Sequence, residues 1–106
     1  MSDFNELAAT AFQIIAAVGC ARSCYIDAIQ EAKQGNFDRA QELMEEGKQS
    51  FLVGHDAHTA LVQAEAAGDP TQMCLMLTHA EDQLMSAEAF SILAEEFIDV
   101  YKRFDA

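Results

Sequence analysis

The segment Thr78-His79-Ala80-Glu81-Asp82-Gln83-Leu84-Met85 places a histidine and an aspartate three residues apart within a helical pattern. On a helix that spacing puts both side chains on one face, less than a quarter turn of azimuth apart. A neutral imidazole is nucleophilic near pH 7 and can take up a proton, a phosphoryl group or a metal. A neighbouring carboxylate can fix the ring tautomer through a hydrogen bond or stabilise the imidazolium. The competing reading makes His79 a packed structural residue. Covalent transfer through nitrogen is the chemistry that this pair could perform.

The remaining candidates are weaker. His55 and His58 stand three apart, a spacing that can ligate a metal on one helix face. They lack the H-E-x-x-H arrangement and any acid or cysteine at a fixed offset, and are read as packing beside the site or facing solvent. Cys20, Cys24 and Cys74 are odd in number and form no C-x-x-C pair. In a reducing compartment they read as small core residues. The chain carries no Gly-rich phosphate loop, no Walker lysine and no kinase motif, so ATP binding is not expected.

Charge narrows the partners. Eighteen acidic residues against six basic ones give a formal net charge of −12. Nucleic acid and anionic membrane surfaces would be repelled, whereas a protein with a basic docking patch would be attracted. No apolar run approaches bilayer length without a charge, so no transmembrane helix is expected. The start, Met1-Ser2-Asp3-Phe4-Asn5-Glu6, is acidic and lacks the basic region of a signal peptide, which predicts a cytoplasmic protein.

Three helices must position these residues. At 106 residues the chain fits one domain spanning 1–106. A first helix is predicted from Phe4 to Gln34, with Phe4, Leu7, Ala8, Ala11, Ile15, Val18, Tyr25 and Ile29 falling three or four apart. Gly35 can close it in the left-handed conformation and Asn36 can cap its successor. The second runs from Phe37 to about Ala67, on a seam of Phe37, Ala40, Met44, Gly47, Phe51, Gly54, His58 and Leu61. Two glycines on that seam each cost about 1 kcal/mol of helix propensity relative to alanine, which points to close helix approach. Gly68-Asp69-Pro70 predicts a stop, a cap and a new start, with the third helix running from Pro70 to about Phe104. Lys102 and Arg103 face its negative dipole end. Short turns make the fold class all-α: an antiparallel three-helix, up-down-up bundle.

The third helix carries more apolar surface than one bundle can bury. One stripe is Met73, Leu77, Ala80, Leu84, Ala87, Ala94, Ile98 and Tyr101. A second is Leu75, Phe90, Leu93, Phe97, Val100 and Phe104, roughly 160° round the helix. A surface helix needs one apolar face, so two predict self-association. His79 and Asp82 fall on the second stripe. Symmetry would then bring identical Asp82 carboxylates together, where they must protonate or find a cation. A hard divalent ion such as Mg²⁺ suits oxygen ligands of that kind.

Three blocks of residues together resemble a known family. They are Gly19-x-Ala21-Arg22-Ser23 with Ala28, Ala32-Lys33-x-Gly35-x-Phe37 and Ala40; His55-x-x-x-Thr59-x-Leu61-Val62 with Glu65-Ala66-x-Gly68; and His79-Ala80-x-Asp82-x-Leu84-Met85. In this order and spacing they resemble the IIA component of the bacterial sugar phosphotransferase system, lactose/cellobiose (chitobiose) type. The resemblance implies a homotrimer of three-helix subunits, a nine-helix assembly. It implies that His79 accepts a phosphoryl group, on Nε2, from the phosphocarrier HPr and passes it to a cysteine of the IIB component. IIB would then phosphorylate a β-linked disaccharide as the membrane component IIC imports it. It also implies that Asp82 binds one divalent cation per trimer at the axis.

Two positions depart from the family. Its members commonly have His-Ala-Gln-Asp-His-Leu-Met, where this chain has Gln83 in place of the second histidine, and glutamine where this chain has His58. A histidine and a glutamine have changed places. This predicts that positions 58 and 83 lie close together, across a subunit boundary, and keep one imidazole and one amide beside His79. The acceptor for the other ring nitrogen is open between a backbone carbonyl, Asp82 and Gln83. Two rivals stand beside this reading: a non-catalytic oligomerising adaptor, and a metal-binding bundle using His55, His58 and nearby acids.

Overall fold

Alanine-rich, nearly uninterrupted amphipathic sequence makes long helices, and the two stops are both built on glycine. The computed structural model describes residues 4–105, so Met1, Ser2 and Asp3 of the acidic start lie outside the described residues. Helix α1 spans Phe4–Lys33, α2 Phe37–Ala66 and α3 Leu75–Asp105. They form an up-down-up rod of 55 × 22 × 19 Å, and no strand occurs among the described residues.

Both turns use the same hydrogen-bond pattern. At the end of α1, Gly35 has φ +83°. Its N–H donates to the Ala32 carbonyl at 3.0 Å, and Asn36 N–H reaches back to Glu31 O at 2.9 Å. At the end of α2, Gly68 has φ +98°, and the pair is Gly68 N–H to Glu65 O at 3.0 Å and Asp69 N–H to Ala64 O at 2.9 Å. These crossed bonds satisfy the last carbonyls of each helix. Asn36 starts α2 by position only. Its side chain makes no capping bond; the amide donates instead to Glu31 Oε2 at 2.8 Å.

The third helix begins later than the sequence suggests. Residues 69–74 are non-helical, and the first α-type bond runs from Thr78 N–H to Cys74 O at 3.0 Å. Asp69 is therefore the residue closing the α2 turn, not a cap for α3. A residue before proline is pushed out of the helical region, which holds the chain extended through Asp69-Pro70. The segment passes over the bundle end and walls a cavity of about 300 Å³ with Phe4, Leu7 and Leu61. Met73 consequently leaves the first stripe and is exposed.

The core divides into two layers along the rod. Nearer the α2–α3 turn, Leu7, Ala11, Ile14 and Val18 of α1 meet Leu77, Ala80, Leu84 and Ala87 of α3. Nearer the α1–α2 turn, Ala21, Tyr25, Ala28 and Ala32 meet Ala40, Leu43, Met44, Ala94 and Ile98. Small side chains let α1 pack closely on both partners, while α2 and α3 touch less. By length and composition alone α1 is apolar enough to cross a membrane, a test that the core helix of a soluble protein also passes. The cause is the uncharged stretch from Leu7 to Ala21, which supplies a helix packed on two sides.

The second stripe of α3 is largely uncovered in one chain, although Phe90 packs against the core. Leu75, Leu93, Phe97 and Phe104 are 85%, 55%, 50% and 83% exposed. The opposite stripe, from Leu77 to Ile98, is buried as the periodicity predicts.

Candidate functional site

The early part of α3 carries the site. Burial of Leu77, Ala80 and Leu84 against α1 fixes the rotation of the helix, and that rotation turns His79 and Asp82 outward. Their side chains are 54% and 63% exposed, and His79 Nδ1 lies 3.5 Å from Asp82 Oδ1. This is a close electrostatic contact, longer than a formed N–H···O bond. Of the acceptors left open for the second ring nitrogen, Asp82 is the one that lies within ion-pair distance of it. The spacing of three has done what helical geometry requires of it.

Gln83 joins the same group. Its Nε2 donates to Asp82 Oδ1 at 3.1 Å, and its Oε1 accepts from Arg22 Nη1 of α1 at 2.6 Å. Arg22, Gln83, Asp82 and His79 thus form one continuous polar chain from α1 to the imidazole. Arg22 lies in the first of the three resemblance blocks, and nothing in its local sequence assigns it a role. A signal was available: Arg22 is the only Lys or Arg between Phe4 and Ala32, on a helix otherwise devoted to packing.

His58 goes elsewhere. Its Nε2 sits 2.7 Å from Glu81 Oε2, part-buried, and this pair ties α2 to α3. Glu81 projects roughly 160° round α3 from both His79 and Gln83. Within one chain, then, positions 58 and 83 occupy opposite flanks of α3, and only Gln83 adjoins the His79–Asp82 pair. His55 lies 3.7 Å through Nδ1 from Asp56 and stacks at 5.9 Å on the Phe51 ring. His55 and His58 therefore take separate partners.

A hard cation prefers six or more oxygens. Among the described residues no group of three or more His, Cys, Asp or Glu comes together in one chain. Asp82 offers one exposed carboxylate, whose protein contacts run through Oδ1. A Mg²⁺ site fits these residues only where Asp82 side chains from several copies converge.

Chemically, the arrangement is a solvent-facing imidazole with one nitrogen against a carboxylate, carried on a rigid helix of an all-α bundle. That defines a helical bundle with an accessible histidine on a packed helix. The chain belongs to the family described as the lactose/cellobiose-specific IIA subunit of the phosphotransferase system, whose model matches residues 9–102. It is 38% identical over 91 residues to the oligo-beta-mannoside-specific EIIA component of Bacillus subtilis, covering 86% of this chain and 83% of that protein. The crystal structure of the cellobiose-specific enzyme IIA from Bacillus anthracis superposes with a TM-score of 0.90 at 40% identity, over 99% of this chain and 94% of the other. The IIA(chitobiose) of Escherichia coli, solved in solution in complex with HPr, matches with a TM-score of 0.81 at 26% identity over all of both chains. As a family member, the chain is a phosphotransferase-system component of sugar transport.

Proposed function

We propose that this chain is a cytoplasmic phosphocarrier, a single IIA domain over residues 1–106. It accepts a phosphoryl group from phospho-HPr on His79 and passes it to a cysteine of its IIB partner. The observation that carries this is the half-exposed His79 imidazole, backed at Nδ1 by Asp82, within the family-matched span. In the first transfer the Nε2 lone pair attacks phosphorus, an N–P bond forms on His79, and the N–P bond on the HPr histidine breaks. In the second, that N–P bond breaks and an S–P bond forms on IIB. IIB then phosphorylates a β-linked disaccharide of the lactose, cellobiose or chitobiose class during import through IIC. Phosphoryl transfer asks mainly for positioning and charge stabilisation, which a fixed imidazole supplies without a bound nucleotide. The net charge of −12 favours a donor with a basic rim.

The active form in this reading is a homotrimer, nine helices in all, assembled through the exposed stripe of α3. Three Asp82 carboxylates meet at its axis around one Mg²⁺. Asp82 would then serve both His79 and the cation, whose charge would offset the repulsion among the three carboxylates.

The test is incubation with phosphoenolpyruvate, Enzyme I and HPr, followed by assay for phosphate that is acid-labile and alkali-stable. Its appearance in wild type and loss in His79→Ala is the expected result. An unmodified protein beside fully charged HPr would leave the non-catalytic adaptor as the better reading.

A further inference from the structure

We propose that Arg22 is a positioning residue for His79, acting through Gln83 and Asp82 to keep the imidazole proton on Nδ1 and the lone pair on Nε2. For its consequence in transfer this rests on the phosphoacceptor reading; for the tautomer it rests on geometry alone.

The choice of partner by Arg22 is unusual for this molecule. With three times as many acids as bases, Arg39, Lys48 and Arg103 all pair with carboxylates. Arg22 instead donates to a neutral amide, part-buried, at 2.6 Å. A guanidinium has donors only and does not deprotonate in a protein. The atom of Gln83 that faces it must therefore be the oxygen. That settles which way the amide points, and its NH₂ group is left to face Asp82, where it donates to Oδ1 at 3.1 Å. An ionised carboxylate has acceptors only. The same Oδ1 lies 3.5 Å from His79 Nδ1, and a carboxylate oxygen at that distance favours hydrogen on the ring nitrogen beside it. Which nitrogen of a histidine is protonated is set by the bond that the other surroundings offer.

Each link has one permitted direction, and the direction is imposed at the Arg22 end. Without the guanidinium the amide can turn over, presenting its oxygen to Asp82. Two acceptors then face each other, Asp82 loses its tether, and the ring reverts to the tautomer a free imidazole favours in water, with the proton on Nε2. A ring in that form has no lone pair at Nε2 with which to attack phosphorus.

The experiment is ¹⁵N NMR of the neutral His79 ring in full-length protein with Mg²⁺ present, combined with phosphorylation by phospho-HPr. Wild type should show a pyrrole-type Nδ1 and a pyridine-type Nε2. Arg22→Leu should move the ring toward the Nε2–H form and slow phosphoryl acceptance several-fold, with HPr binding nearly unchanged. Arg22→Lys, still a pure donor, should restore part of both. Gln83→Leu should reproduce the tautomer change with Arg22 in place, which keeps the test valid if Arg22→Leu folds poorly. An Nε2–H ring in wild type, or an Nδ1–H ring unaltered in both Leu variants, overturns the proposal. A wild-type Nδ1–H ring that takes no phosphate would sink the phosphoacceptor reading while leaving the Arg22 relay standing.

Discussion

The phenol ring of Tyr25 lies against the backbone of Gly47, so close that a Cβ at position 47 would sit 2.5 Å from Cε1 and 2.8 Å from Cδ1 of that ring. Tyr25 is fully buried and cannot swing aside. Gly47→Ala gains helix propensity of about 1 kcal/mol, yet overpacking at such a site costs more than that. The expected net loss is about 1–2 kcal/mol, a fall in thermal midpoint of roughly 5–10 °C. A midpoint unchanged or raised by calorimetry would show that α1 and α2 are less tightly apposed than this.

Much of this architecture was legible in the sequence, because its signals are periodic and local. The three-and-four spacing of the first α3 stripe predicted burial of Leu77, Ala80, Leu84, Ala87, Ala94 and Ile98. Gly35 and Gly68 marked the two turns, both with positive φ. The start of α3 was not legible. Asp69-Pro70 is locally a good helix start, and only the closure of α2 by Asp69 N–H, together with the packing of 69–74 over the bundle end, decides against it. The His79–Asp82 pair could be read from spacing alone. The Arg22–Gln83 bond could not, since it joins residues 61 apart in sequence and depends on the register of α1 against α3.

Alkaline pH should loosen the bundle. Burial pushes the Tyr25 hydroxyl above its ordinary value of 10.0, and the hydrogen bond to Glu95 pushes Lys48 above 10.5. In each case the folded chain holds its proton to higher pH than the unfolded chain. The stabilisation is whole below about pH 10 and is lost as pH rises through the folded values. Thermal midpoints measured between about pH 8 and 11.5 should fall at the upper end, and Tyr25→Phe should flatten the slope. An equal slope in that variant would remove Tyr25 from the explanation.

The exposed aromatic stripe gives the oligomer a direct test. Phe97 is half exposed in one chain, so Phe97→Asp should leave the subunit helical while placing three carboxylates in the proposed interface. Sedimentation should report monomers where wild type gives trimers. A variant that still sedimented as a trimer would mean that this stripe is not the interface.

Asp82→Leu separates the cation from the assembly. Removing the carboxylates removes both their mutual repulsion and the need for Mg²⁺. The variant should remain a folded trimer in EDTA, whereas wild type should loosen on chelation. Dissociation of the variant into monomers even with Mg²⁺ present would contradict the role given to Asp82.

His58→Ala should affect stability and leave transfer alone. It deletes the part-buried 2.7 Å link between α2 and α3 made with Glu81. The expected cost is about 1 kcal/mol, kept small by partial solvent screening. The rate of phosphorylation by phospho-HPr should stay within about twofold, because Glu81 projects away from His79. A large loss of rate at unchanged stability would return His58 to the site.

His79 is borne by the second turn of a 31-residue helix, and not by a loop. Its backbone is already ordered before any partner arrives, so docking has no segment to freeze and only the ring's own two torsions to settle. Those torsions move in picoseconds to nanoseconds, far faster than two proteins meet. A donor and an acceptor visiting in turn, as the proposed relay requires, would find the same stationary target. In the proposed relay, a difference in tempo between loading and unloading would come from the bonds made and broken and from how each visitor docks, with no contribution from loop ordering.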